Sequence, residues 1–146
     1  MIKIFTTNSY LETMDFAEKF AKILPNGSVI AMNGDLGAGK TTFTRGVAKA
    51  LKITDIIQSP TFNIMKIYLK GERPLIHIDA YRLADLNTDI GLDEFIGYET
   101  GLTLIEWPEY IADLLPIETI KIEIKNIGEN ARKFTIDIPD ELEVDF

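Results

Sequence analysis

The sequence predicts a single α/β domain over residues 1–146, with a mixed central sheet flanked by helices and a C-terminal antiparallel hairpin. Three observations carry this prediction. Val29-Ile30-Ala31-Met32 is an apolar run suited to a buried parallel strand, and it leads through a glycine-rich turn into a helical stretch from Thr42 to Leu51. Leu75-Ile76-His77-Ile78 and Leu102-Thr103-Leu104-Ile105 are further apolar runs, ending on the acids Asp79 and Glu106. Near the C-terminus, Ile120, Ile122 and Ile124 alternate with Lys121, Glu123 and Lys125, and Phe134, Ile136 and Ile138 alternate around Thr135 and Asp137. That period of two marks a pair of half-buried strands. A chain of 146 residues with 46% hydrophobic content fills one core and leaves little for a second domain.

Along the chain, Met1 to Asn8 lacks the apolar centre of a signal peptide, and no apolar run is long enough to cross a bilayer. Both facts predict a cytoplasmic protein. Ser9 followed by Glu12 is a capping box that opens a helix. Leu11, Met14, Ala17, Ala21 and Leu24 recur at helical spacing, so they are expected to face the core. Pro25-Asn26-Gly27 stops that helix, and the first buried strand follows. After Leu51, a connector runs to Thr61, where Pro60 biases Ser59 towards an extended backbone. Phe62 to Leu69 reads as a strand, joined by the turn Lys70 to Pro74 to the strand ending at Asp79. So short a link predicts an antiparallel hairpin. Asp85 to Ile96 is expected to be partly helical, a short helix to follow Glu106-Trp107-Pro108 and run to Leu115, and Ile127-Gly128-Glu129-Asn130 to link the final hairpin.

Composition removes several classes of function. The absence of cysteine excludes disulfides, cysteine-ligated zinc, iron–sulfur clusters and thiolate catalysis, and a single histidine excludes a histidine metal cage. Fifteen basic residues face twenty-three acidic ones, giving a net charge of −8, and the basic residues form no dense cluster. A domain that grips nucleic acid by its phosphates would carry a basic stripe. Any role in nucleic-acid metabolism is therefore expected to pass through a protein partner.

Gly34-Asp35-Leu36-Gly37-Ala38-Gly39-Lys40-Thr41 satisfies G-x-x-x-x-G-K-T at every specified position, between a strand and a helix. Consecutive backbone N–H groups of such a loop wrap phosphates, and the helix N-terminus adds donors and a favourable dipole. Lys40 is expected to reach between the outer phosphates of a nucleoside triphosphate, and the Thr41 hydroxyl to bind Mg²⁺. Such a site needs a further acid at the end of a neighbouring strand, and Asp79 and Glu106 compete for the place. Glu106 is expected to join the metal's ligands or polarise the attacking water, and Asp79 to anchor the metal's water shell or a switch segment. The reverse assignment is equally compatible with the pattern.

Around these acids, His77 alternates with Ile76 and Ile78, and reads as a packed, hydrogen-bonded side chain rather than a base. Trp107 fits core filling, a lid over nucleotide or an anchor for a partner. Arg82 fits a surface residue, a γ-phosphate reader or a contact to a partner's carboxylate. Ser59-Pro60-Thr61 has the hydroxyls of a γ-phosphate-sensing segment. No Asn-Lys-x-Asp sequence for guanine is present, which favours ATP by subtraction. Only Arg45, Arg73, Arg82 and Arg132 are available to clamp a transferred phosphate, so a small-molecule kinase ranks below a hydrolase. A non-hydrolysing, nucleotide-dependent scaffold is the other alternative.

Four segments in order, Gly34 to Phe43, Ser59-Pro60-Thr61-Phe62, His77-Ile78-Asp79-Ala80-Tyr81-Arg82-Leu83 and Ile105-Glu106-Trp107-Pro108-Glu109, resemble the TsaE family, also called YjeE. The likeness spans nearly the whole chain and is far more specific than the phosphate loop alone. It implies a P-loop NTPase-like fold with a mixed sheet. It also implies weak ATP hydrolysis to ADP by the isolated protein, and more in complex with TsaB and TsaD. TsaD places threonylcarbamoyl on the adenosine beside the anticodon, position 37, of tRNAs that read codons beginning with A; tRNA is engaged mainly through the partners. Carried onto this chain, the resemblance gives phosphate and Mg²⁺ contacts to Lys40 and Thr41, with Thr42 adjoining. It makes Asp79 and Glu106 essential acids near the metal, and Ser59-Pro60-Thr61 and Glu106-Trp107 nucleotide-responsive segments. Thr13 resembles the residue whose helix lies beside the base.

Overall fold

The structure, a computed structural model, describes residues 1–34, 39–58, 64–84, 91–142 and 144. Seven strands are described: β1 (Ile2–Thr7), β2 (Val29–Gly34), β3 (Met65–Tyr68), β4 (Leu75–Asp79), β5 (Leu102–Glu106), β6 (Ile120–Asn126) and β7 (Arg132–Asp137). They form one sheet in the order β1-β7-β6-β2-β5-β4-β3. The four central strands β6, β2, β5 and β4 are mutually parallel; β3 pairs antiparallel with β4 at one edge, and at the other β7 pairs antiparallel with β6 and β1 with β7, so that β1 again runs in the direction of the central strands. The two expected hairpins are present as β3–β4 and β6–β7.

The sheet's two faces are covered differently. Helices α1 (Tyr10–Lys22) and α2 (Lys40–Ala50) lie on one, over Ile30, Met32, Leu75, Leu102, Leu104, Ile120 and Ile122. The other carries Val29, Ile76, Ile78 and Ile105 under Leu92, Ile111 and neighbouring residues of short 3-10 turns. Because strand side chains alternate, Leu75, His77 and Asp79 share the α-helical face, as do Leu104 and Glu106. His77 thus lies opposite Ile76 and Ile78, as its spacing predicts.

A run of aromatic contacts locks the helices to the sheet extension. The Phe16 ring lies 4.9 Å from Phe5 and 5.1 Å from Phe134, and Phe43 lies 5.8 Å from Phe134. Phe43 and Phe134 are fully buried, which contributes about 1.5–3 kcal/mol for each ring. The capping box forms at the start of α1: the Glu12 N–H donates to Ser9 Oγ at 3.1 Å, and the Asn8 N–H donates to the Glu12 carboxylate at 3.0 Å.

Several local expectations change. Leu11 is 74% exposed instead of core-facing, because it stands on the opposite side of α1 from fully buried Phe20, nine residues and about two and a half turns away. The inward stripe runs through Thr13, Ala17, Phe20, Ala21 and Leu24. Strand β1 has no counterpart in the sequence reading. Its Ile2 and Ile4 point to solvent, and six register pairs with β7 make it a strand. Strand β3 begins at Met65, and residues 62–63 of the longer expected strand lie outside the described residues. Of the segment expected to be partly helical, residues 85–90 also lie outside them, and Leu92–Glu94 is a single 3-10 turn. The segment Pro108–Leu114 is 3-10 helix interrupted at Ile111, where φ is −134°, rather than one regular helix.

Helices α1 and α2 approach most closely at Gly46. A Cβ there would lie 2.5 Å from Met14 O and 2.6 Å from Ala17 Cβ, so backbone would have to move. Gly46→Ala is expected to destabilise the fold by about 1–3 kcal/mol through overpacking, despite alanine's better helix propensity. Urea denaturation of the two proteins checks this, with the midpoint falling and the slope unchanged.

Candidate active site

Strand β2 delivers the chain to Gly34, and α2 leaves from Gly39. The loop residues between them, Asp35, Leu36, Gly37 and Ala38, lie outside the described residues. Gly39 has φ +106° and ψ 14°, a left-handed conformation that strains any side-chain-bearing residue. It lets the chain turn sharply from strand to helix, and the Gly39 carbonyl then accepts the first helical bond from the Phe43 N–H at 2.9 Å. No acidic residue occupies the first turn of α2, so the positive end of its dipole is not offset from within that turn. Lys40 is buried in the first turn, and Thr41 and Thr42 are partly exposed beside it.

The two candidate acids come together. Asp79 and Glu106 are register partners at the ends of parallel strands β4 and β5, 7% and 5% exposed. Glu106 is held at both oxygens: Lys40 Nζ lies 3.8 Å from Oε1, and His77 Nε2 lies 2.8 Å from Oε2. Asp79 Oδ1 accepts the Tyr81 N–H at 3.1 Å, bending the chain as it leaves β4. Trp107 follows Glu106 in a left-handed conformation, φ 57° and ψ 52°, which carries its ring over Lys40 Nζ at 4.7 Å from the centroid. Tyr81 packs on this indole at 5.1 Å and Tyr110 at 6.4 Å.

The remaining predicted residues fall elsewhere or outside description. Ser59, Pro60 and Thr61 lie outside the described residues, as does the side chain of Arg82, whose backbone belongs to the 3-10 turn Tyr81–Ala84. Thr13 is buried on α1, with its hydroxyl 2.6 Å from that of Thr7 on β1. Thr7 is in register with Arg132 at the start of β7, and the Arg132 side chain runs against the phosphate-loop end, where a Cβ on Gly39 would lie 3.5 Å from Nε. Arg132 Nη1 also donates to the Ala131 carbonyl at 2.9 Å. In the sequence Arg132 stands only as one of four arginines. Its signal lay in the alternation Arg132, Phe134, Ile136, which continues the buried face of β7 one step to a charged residue.

The chemistry follows from these groups. One cation, two carboxylates and the free N-terminus of a helix converge at the C-terminal edge of a parallel sheet, where α/β folds place anionic ligands. Among the described residues, no group of three or more His, Cys, Asp or Glu is placed to cage a metal. A hydroxyl and one or two carboxylates fit a hard cation that keeps waters and shares ligand phosphate oxygens, the habit of Mg²⁺. Among the described residues, no helix is long and apolar enough to cross a membrane.

Comparison with known proteins agrees with this architecture. The family model described as "Threonylcarbamoyl adenosine biosynthesis protein TsaE" matches residues 7–134. The chain is 46% identical over 124 residues to the tRNA threonylcarbamoyladenosine biosynthesis protein TsaE of Bacillus subtilis, covering 85% of this chain and 78% of that one. It is 38% identical over 132 residues to the protein of the same name from Treponema pallidum, covering 89% and 96%. A crystal structure of Bacillus subtilis YdiB superposes with a TM-score of 0.82 at 37% identity, covering 97% of this chain and 88% of that one. With its P-loop NTPase-like fold and a family match from β1 to β7, this chain belongs to the TsaE family.

Proposed function

We propose that this chain is an ATPase of tRNA threonylcarbamoyladenosine biosynthesis, slow alone and accelerated by a complex of TsaB and TsaD that carries the tRNA. The observation that carries the ATPase reading is the meeting of Lys40, Glu106 and Asp79 at the N-terminus of α2. Family membership and the relatives' names support the pathway. The net charge of −8 supports partners, rather than this chain, as the main tRNA-binding surface.

In this reading the loop from Gly34 to Thr41 wraps the phosphates, and Lys40 leaves Glu106 to lie between the outer two. Lys40 then neutralises charge that develops on the γ-phosphate as the bond to the leaving ADP lengthens. The Thr41 hydroxyl and Glu106 would hold Mg²⁺, which when bound would supply further neutralisation of phosphate charge. Asp79 and Glu106, on adjacent strand ends, orient water for in-line attack. Thr13, Thr42 and Arg132 line the nucleotide. Ser59-Pro60-Thr61, Arg82 and Trp107 respond to its γ-phosphate or to the partner.

ATP hydrolysis by the purified chain, alone and with a matched TsaB–TsaD complex, tests the proposal. Stimulation is expected, and Lys40→Ala should abolish it, as loss of such transition-state charge costs about 10²–10³ in rate. No stimulation despite demonstrated complex formation and ATP binding would favour a non-hydrolysing scaffold. The chain's single tryptophan gives a second readout. Mg²⁺–ATP should withdraw the Lys40 ammonium from the Trp107 face and change its fluorescence, and Lys40→Ala should remove that response. An equal response in Lys40→Ala would show that the indole senses something else.

A further inference from the structure

We propose that His77 is a positioning residue for Glu106, a role that rests on Glu106 acting at the metal-nucleotide site proposed above. The ring is 1% exposed, on the α-helical face of β4 between Leu75 and Asp79. Its register partner on β5 is Leu104, so Glu106, two residues further on, is its diagonal neighbour on the same face. An apolar side chain would fill such a place at no polar desolvation cost. The ring's hydrogen bond is to the Glu106 carboxylate at 2.8 Å, and its other nitrogen, Nδ1, has no hydrogen-bond partner among the described residues. A single bond from Nε2 therefore decides how the ring is used. The proposed role assigns the hydrogen to Nε2, donating to the Glu106 carboxylate oxygen.

The bond has a specific geometric consequence. Glu106 is stretched between two donors, Lys40 at Oε1 and His77 at Oε2. Lys40 is the group that must turn away when phosphate arrives, and Glu106 then keeps the His77 bond. Oε1 is released into the site while Oε2 stays anchored to the sheet. The carboxylate thus exchanges Lys40 for a metal or water without losing its orientation, and without ordering a free side chain at that moment.

The chain's single histidine makes this testable without activity. In protein labelled with ¹⁵N at histidine, free of nucleotide and metal, one pair of ring signals should report the Nε2–H tautomer. Glu106→Gln should shift the Nε2 signal. In ATP hydrolysis with the partner complex, His77→Leu should lower kcat about tenfold or more while KM for ATP changes by less than about threefold. His77→Gln, which can return an N–H donor near Nε2, should recover most of the loss. An Nδ1–H tautomer, or a folded His77→Leu protein with wild-type kcat, would overturn the proposal. If the wild-type chain hydrolyses no ATP in any condition, the ATPase reading fails. The ring spectrum and the Mg²⁺ dependence of ADP affinity then judge His77 alone: an Nε2–H ring with about tenfold weaker Mg²⁺-dependent binding in His77→Leu sustains its role, and unchanged binding refutes it.

Discussion

Everything at the site depends on the register of three parallel strands. Met32 of β2, Glu106 of β5 and Asp79 of β4 are aligned across the sheet, so β4 and β5 finish at one level while β2 runs on two residues to Gly34 on the way to α2. A slip of one residue in β5 would send Glu106 to the opposite face, among Ile76, Ile78 and Ile105, and away from Lys40. The apolar alternation that locks this register is therefore also what aims the acids. Leu102 and Leu104 under α2, and Ile105 under the 3-10 turns, fix the face of Glu106 before any polar contact forms.

Within that frame, buried charge is balanced locally. Lys40 and Glu106 are both under a tenth exposed, and either alone would carry a large desolvation cost. Their 3.8 Å contact, the His77 hydrogen bond and the Trp107 face over the ammonium offset it. The same contacts leave the lysine engaged by groups it can exchange.

The backbone turns left-handed on both sides of the site, and only at Trp107 does this cost strain. Gly39 and Trp107 each take a left-handed conformation, free of side-chain penalty for the glycine and of order 1–3 kcal/mol for the tryptophan. The contacts of the indole with Tyr81 and Tyr110 hold that conformation, against the preference of a residue before proline for extended backbone. Tyr81 and Tyr110 are substantially exposed, so the indole's aromatic surroundings reach solvent next to the buried charges.

The sequence by itself determined the strand before the Gly34 to Thr41 motif and the helix after it, the two hairpins, and the strand ends that carry the two acids, because each is written in local periodicity. It also determined the family, through four motifs in order. It misread Leu11, whose spacing looked helical but whose angle faces away from Phe20, and it passed over β1, whose apolar residues point outward. Only the tertiary structure decided that Asp79 and Glu106 are register partners, that His77 and Lys40 grip opposite oxygens of one carboxylate, and that Arg132 reaches Gly39 from the far hairpin. Residues 93 positions apart share that last contact. No local pattern encodes it, because strand order and register are set by which faces can be buried together, a property of the whole sheet.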